Sequence, residues 1–369
     1  MRKKHDEGAA HDDGDDDEAR PSPSSASPSP SRSPSPSRPR LVDAALAEDD
    51  AALRPKSFDE YVGQSKVVDN LKVFVAAAKG RGEALDHVLF SGPPGIGKTT
   101  LAHLIAHALG VPLRAIGAPA IEHKGTLASY LTSLGERGVF FIDEVHRLQP
   151  VVEEYLYPAM EDYRLEIPVG DGPNAEMLPL KLPRFSLVAA TTRTGLLSAP
   201  FLSRFGIVLR LDYYSPTELT EIVRRSAAKL GVDVDGGGAE EIGRRARGTP
   251  RIANHLLKRV RDFAQVQGDG RVNQAVAAGA LARLGVDELG LDELDRTLLR
   301  TIIQKFDGGP VGVESLAAAC AEERGTLEDV CEPYLIQEGL LMRTPRGRVA
   351  TRRAHEHLGL PPPRQGALL

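Results

Sequence analysis

The chain has 369 residues and a formal net charge of −5, with 41% hydrophobic and 26% charged side chains, which is enough length for two or three domains with sizeable cores. Residues 1–50 carry 7 basic and 12 acidic side chains and leave 39 of each for the rest, so bulk charge neither supports nor excludes a polyanionic partner. No apolar leader and no run of about twenty apolar residues occurs, which argues against a secretory signal or membrane span and leads us to expect a cytoplasmic protein.

The first segment holds six carboxylates within residues 11–18, and residues 21–40 consist of Pro, Ser and Arg with a single Ala. Such a stretch has nothing to bury, so residues 1–50 are expected to form a disordered tail. From 51 to 212, strand-type and helix-type segments alternate, which predicts an α/β domain with a parallel sheet covered by helices on both faces. Within it, Phe90 to Leu109 reads FSGPPGIGKTTLAHLIAHAL and satisfies G-x-x-x-x-G-K-T with Gly92, Gly97, Lys98 and Thr99. That motif has meaning only between a strand and a helix. Both flanks are present: HVLFS at 87–91 is a short apolar run, and Leu101, Leu104, Ile105, Ala108 and Leu109 recur at helical spacing before Gly110. The glycines let backbone N–H groups turn toward phosphate, and the helix N-terminus adds positive potential. Lys98 is then placed to reach the β- and γ-phosphates of ATP, and Thr99 to ligate Mg2+.

A phosphate loop needs a second strand ending in carboxylates, and VFFIDE at 139–144 supplies one. Asp143 is the expected partner of the metal shell, and Glu144 the general base that activates water. His146 reads as a surface or supporting residue. A third apolar strand, FSLVAA at 185–190, ends in Thr191, Thr192 and Arg193, where open α/β sheets bind ligands. Thr192, with Thr191 as the alternative, is the candidate contact for the γ-phosphate or the attacking water. Residues 162–185 carry a GDG turn signal among alternating apolar positions and predict a hairpin.

Residues 213–287 are helical in pattern, and their basic residues Arg244, Arg245, Arg247, Arg251, Lys258, Arg259 and Arg261 read as a solvated face. The stretch 288–362 has the pattern of a winged helix: Leu294 to Phe306, Val313 to Ala319 and Leu327 to Ile336 suit three helices. LLMR, the turn TPRG and RVAT then suit a two-stranded wing. From residue 340 onward, six arginines face one carboxylate, Glu356, an asymmetry suited to DNA. Arg346, at the tip of the turn, is a candidate phosphate contact. Cys320 and Cys331 lack metal or redox spacing and read as small buried apolar side chains in a reducing compartment. Residues 363–369 are left as a short tail.

Together, GPPGIGKTT, FIDEVHRL, AATTR, SRFG at 203–206 and GTPRIANHLLKRVRD at 248–262 resemble an AAA+ ATPase. More narrowly, RPKSFDEYVGQ at 54–64, VVEEYLYPAMEDY at 151–163 and EPYLIQEGLLMRTPRGR at 332–348 resemble the RuvB family, over about residues 53–362. The resemblance implies an ATP-dependent motor for branch migration of Holliday junctions in recombination and repair, built as an ATPase domain, a small helical domain and a winged-helix head. Carried over residue by residue, it implies that Leu53, Arg54 and Tyr61 border the adenine and that Gly95, Lys98, Thr99 and Thr100 hold phosphate. Glu161, Asp162, Tyr163 and Tyr214 match further nucleotide contacts, Arg204 an arginine finger reaching a neighbouring subunit's nucleotide, and Arg251 a second sensor. Arg343 and Arg348 match DNA contacts. The implied partners are double-stranded DNA, RuvA through the 162–185 hairpin, RuvC in the resolving complex, and five further copies in a homohexamer. A surface hairpin without a partner remains the alternative for 162–185. For the whole chain the alternative is a nucleotide-switched winged-helix regulator of DNA, although Glu144 and Arg204 are parts suited to turnover rather than switching.

Overall fold

A computed structural model describes residues 50–169 and 176–361. Residues 1–49 of the acidic tail, the GDG turn at 170–172 and the tail 363–369 lie outside the described residues. The strands are β1 (Val88–Ser91), β2 (Leu113–Gly117), β3 (Val139–Asp143), β4 (Arg164–Val169), β5 (Glu176–Lys181), β6 (Ser186–Thr191), β7 (Ile207–Arg210), β8 (Leu341–Thr344) and β9 (Gly347–Ala350). Five of them form one parallel sheet in the order β2-β3-β6-β1-β7. This order sets the phosphate-loop strand β1 beside β6 and brings the carboxyl ends of β1, β3 and β6 to one edge.

β1 and β6 are buried along their whole length and β3 up to Ile142, as continuous apolar runs in a sheet covered on both faces should be. Alternation divides their side chains. Phe90, Phe141 and Val188 pack with Leu71, Leu101 and Ile105 on one face, while Leu89, Phe140 and Leu187 pack with Leu131, Val152 and Leu156 on the other. Each such side chain contributes about 1.5–3 kcal/mol on full burial. β3 ends one residue before the close of the expected stretch 139–144: Glu144 leaves it with φ 50° and starts a tight turn through Val145–Arg147.

The helical domain uses Pro216–Leu230, Gly236–Arg244, Pro250–Gln267 and Gln274–Arg283. Its first helix starts at a capping box in which Ser215 and Glu218 bond each other's backbone, and it stops at Gly231 in the left-handed conformation. Val223, Leu256 and Leu257 share a core with Leu101 and Ile105, so the apolar interior of this domain is continuous with that of the ATPase domain. Its basic run is not one solvated face. Arg245, Arg247 and Lys258 are buried; Arg245 pairs with Glu241, and Arg247 with Asp295 at 2.8 Å. Helical spacing alone does not reveal that one of these carboxylates comes from the same helix and the other from the distant helix Glu293–Lys305.

Glu293–Lys305 and Val313–Cys320 are the first two helices of the third domain, and a third runs from Arg324 to Gln337. That third helix passes through a π-helical turn at Leu327–Cys331, an irregularity that apolar spacing does not announce. β8 and β9 pair antiparallel with Arg343 opposite Arg348 and form the wing, and Arg352–His357 closes the domain. Its core is separate, built on Leu298, Leu299, Ile302, Leu316, Leu335 and Leu340. Cys331 is buried in that core and Cys320 packs against it.

Candidate nucleotide site and wing

The phosphate loop closes where Gly97, at φ 101°, hands over to the helix Lys98–Leu109. A Cβ on Gly97 would stand 2.6 Å from the Tyr61 hydroxyl, so glycine is required by both backbone and space. Tyr214 donates to the Tyr61 hydroxyl at 2.9 Å, and both phenols reach the Ile96 carbonyl, at 3.4 Å from Tyr61 and 3.2 Å from Tyr214. Burial pushes Tyr61 up to about 12 and Tyr214 further up, so both remain neutral hydrogen-bonding groups under the loop.

A cleft of about 460 Å³ opens above this floor. Leu53, Arg54 and Tyr61 line one side; Gly95, Lys98, Thr99 and Thr100 line the loop; Asp143 and Glu144 close the inner end; and Tyr214 and Arg251 come from the helical domain. Lys98 Nζ donates to the Gly92 and Pro93 carbonyls, both at 2.8 Å. Burial pushes its amine down to about 8, against the pull of Glu144 and Asp143. Thr99 Oγ1 donates to Asp143 Oδ2 at 3.3 Å. Among the described residues no group of three or more His, Cys, Asp and Glu side chains could hold a metal. One hydroxyl and one carboxylate at the foot of the cleft nevertheless fit Mg2+, which takes one or two protein oxygens and completes its shell with phosphate and water.

Glu144 is held from the neighbouring strand. Thr192 donates to its Oε2 through the backbone N–H at 3.2 Å and the hydroxyl at 3.0 Å. His146 Nδ1 stands 3.2 Å from the same oxygen and 3.0 Å from Thr191 Oγ1, and burial lowers its pKa. His146 is therefore turned toward Glu144 and Thr191 rather than facing solvent. Thr191 is fully buried and its hydroxyl also accepts the Arg193 N–H, so of the two threonines Thr192 touches Glu144.

Arg204 does not line this cleft. Its guanidinium pairs with Glu161 at 3.0 Å and lies over the Tyr157 ring at 4.2 Å. Asp162 pairs with Arg164, and Tyr163 packs edge-on against Phe185. The stretch 161–163 is thus grouped at the base of the hairpin and not around this chain's own cleft. Sequence reasoning missed Arg225 and Lys229, which line the cleft one helical turn apart. Lys229 Nζ donates to the Arg54 carbonyl at 3.0 Å, tying the helical domain to the segment expected at the adenine. Nothing but their i, i+4 spacing on an amphipathic helix marks them in the sequence.

On the wing, Arg343 and Arg346 are exposed, whereas Arg348 turns inward. Its guanidinium bonds Glu332 at 2.7 Å and Glu328 at 2.9 Å, and Glu332 is buried. The three wing arginines expected at phosphate thus differ in placement: Arg348 is buried against carboxylates of the third helix, while Arg343 and Arg346 are open to water.

A phosphate loop on a central parallel strand, a carboxylate held by the next strand, a helical domain closing the cleft and a winged helix beyond it define an AAA+ P-loop ATPase. Family models match the chain in the same order: the Holliday junction DNA helicase RuvB P-loop domain at residues 53–211, the RuvB AAA lid domain at 214–287, and the RuvB C-terminal winged helix domain at 288–359. The chain belongs to the RuvB family of Holliday junction branch-migration motor ATPases. It is 48% identical to the Thermotoga maritima RuvB Holliday junction branch migration motor, with 85% of this chain and 100% of that chain covered at a TM-score of 0.77. A lysine-to-arginine variant of that protein (48% identity, 84% and 98% covered, TM-score 0.77) and an arginine-to-alanine variant (48%, 84% and 98%, 0.76) are similar in the same way. No helix among the described residues is long and apolar enough to cross a membrane.

Proposed function

We propose that the chain works as a cytoplasmic homohexameric ring that hydrolyses ATP at its subunit interfaces and pulls the double-stranded arms of a Holliday junction. We assign residues 51–212 to the ATPase domain, 213–287 to the lid and 288–362 to the DNA-binding head. The observation that carries this reading is the clamp of Glu144 by both polar groups of Thr192 beside Lys98, at the closed end of a cleft to which two domains contribute.

In this reading Lys98 leaves the Gly92 and Pro93 carbonyls and faces the β- and γ-phosphates. Glu144 accepts a proton from water, with Thr192 fixing the carboxylate's direction. Mg2+, held through Thr99 and Asp143, would supply charge neutralisation between the phosphates. Arg204 leaves Glu161 to stabilise transition-state charge on a neighbour's nucleotide, which explains why it lies outside its own cleft. Glu161, Asp162 and Tyr163 would then face the same neighbouring nucleotide, and Arg251 would report nucleotide state to the lid. Arg343 and Arg346 contact phosphates without reading bases, as translocation requires. The 162–185 hairpin is assigned to RuvA, supported by Leu178, a large apolar side chain exposed on β5, with RuvC joining the same assembly.

The test is ATP hydrolysis measured alone, with several unrelated duplexes and with four-way-junction DNA. Stimulation by all of them without sequence preference is expected. Stimulation by one duplex sequence only, or by none, would overturn the reading in favour of a nucleotide-switched regulator.

A further inference from the structure

Among the contacts that the winged-helix domain makes with the rest of the chain, two contrast. One is buried: Arg247 of the lid pairs with Asp295 at 2.8 Å and lies over the Tyr334 ring at 4.7 Å, with the guanidinium 5% and the carboxylate 0% exposed. The other is open to water: Arg193 of the ATPase domain pairs with Asp329, at 42% and 52% exposure. A buried pair is costly to break, and a half-exposed one is not. The first therefore fastens the winged helix to the lid, while the second can be made and lost during a cycle.

What stands on either side of the second pair gives it meaning. Thr191, Thr192 and Arg193 form one bend at the end of β6: Thr191 bonds His146, Thr192 bonds Glu144, and Arg193 bonds Asp329. Asp329 sits in the π-helical turn Leu327–Cys331. Its chain neighbour Glu328 pairs with Arg348 of β9 at 2.9 Å and Arg343 of β8 at 3.4 Å. A π turn is an irregular, strainable piece of helix that recurs at functional sites. The Glu144 carboxylate and both strands of the wing are thus joined through the Arg193–Asp329 pair and the pairs of Glu328 with Arg343 and Arg348.

We propose that the Arg193–Asp329 pair is the coupling contact that carries DNA engagement at the wing to the Glu144–Thr192 clamp, and nucleotide state back to the wing. The inference rests on the motor reading above, in which DNA stimulates hydrolysis. Phosphate drawn to Arg343 competes with Glu328, the π turn shifts, and Asp329 pulls or frees the β6 bend on which the direction of Glu144 depends. Linkage requires the reverse effect as well: occupancy of the nucleotide site changes DNA affinity by the same route.

The experiment uses the full chain and three variants, Asp329→Asn, Arg193→Gln and the exchanged pair Arg193→Asp with Asp329→Arg, with thermal unfolding as a folding control. Hydrolysis is measured alone and with saturating unrelated duplexes, and duplex affinity with and without a non-hydrolysable ATP analogue. Asp329→Asn should keep basal hydrolysis within about twofold while its stimulation by DNA falls about fivefold or more, the lower end of common coupling factors. The exchanged pair should recover a substantial part of the stimulation, and Arg193→Gln should lose about as much of it as Asp329→Asn. Wild-type protein that is stimulated, beside Asp329→Asn stimulated equally, overturns the coupling role and leaves the motor reading intact. So does a loss that the exchanged pair fails to restore although it unfolds at the wild-type temperature. Wild-type protein that no DNA stimulates overturns the motor reading and the coupling together.

Discussion

Thr192 holds the carboxylate of Glu144 with two donors at once, its backbone N–H at 3.2 Å and its hydroxyl at 3.0 Å, across the β3–β6 pairing. Thr192→Val removes one donor and keeps the other. Steady-state hydrolysis should fall by on the order of tenfold while nucleotide affinity holds, the pattern of an interaction used in the transition state. Glu144→Gln should fall further, by about 10²–10⁴, with binding again retained. Titration with a fluorescent nucleotide separates the two effects. A Gln variant with normal turnover would remove Glu144 from the role of base.

Arg204 rests on Glu161 and Tyr157, away from the cleft of its own chain. If it completes a neighbour's site, Arg204→Ala and Lys98→Ala proteins should each be inactive alone. Mixed together they should regain part of the wild-type rate, because some interfaces then pair an intact Lys98 with an intact Arg204. Mixed assemblies verified by mass spectrometry that stay inactive would count against action in trans.

The wing arginines should separate into two kinds. Arg343→Ala and Arg346→Ala should each flatten the slope of log affinity against log salt by about 0.9 on every duplex and leave unfolding unchanged. Arg348→Ala should behave as a stability variant, because it strands the buried Glu332, at a cost on the order of 3–5 kcal/mol. Urea unfolding of the three variants beside salt titrations checks both halves.

His87 is buried between strands, its Nδ1 accepting the Leu187 N–H at 2.9 Å and its Nε2 facing the Met160 carbonyl at 3.0 Å. These partners suit the neutral ring, and burial holds its pKa below the usual imidazole value. Its unfolded form binds a proton first as pH falls. The stabilisation is therefore full above the unfolded value of about 6.5 and is lost as pH drops toward the folded one. Unfolding free energy measured between pH 8 and 5 should decline on this account, and His87→Gln, though less stable at pH 8, should show a shallower decline.

The sequence by itself determined the elements whose signals are local. The phosphate loop, the strand ending in Asp143 and Glu144, the strand ending in Thr192 and the three winged-helix segments all follow from apolar period, glycine placement and charge within a short window of chain. Tertiary structure decided which charged side chains remain available. Arg348 and Arg346 are alike in sequence, two residues apart on a basic wing, yet of these two Glu328 and Glu332 pair with Arg348 alone. Arg247 stood in a basic run and proved buried against Asp295. Tyr61 and Tyr214, 153 positions apart, meet under Gly97, and Arg193 meets Asp329 across 136 positions. Residue counts and spacing describe a side chain's chemistry along the chain. Its protonation, its exposure and its partner depend on what packs against it from elsewhere, and only folding brings those groups within the few ångströms over which hydrogen bonds and ion pairs act.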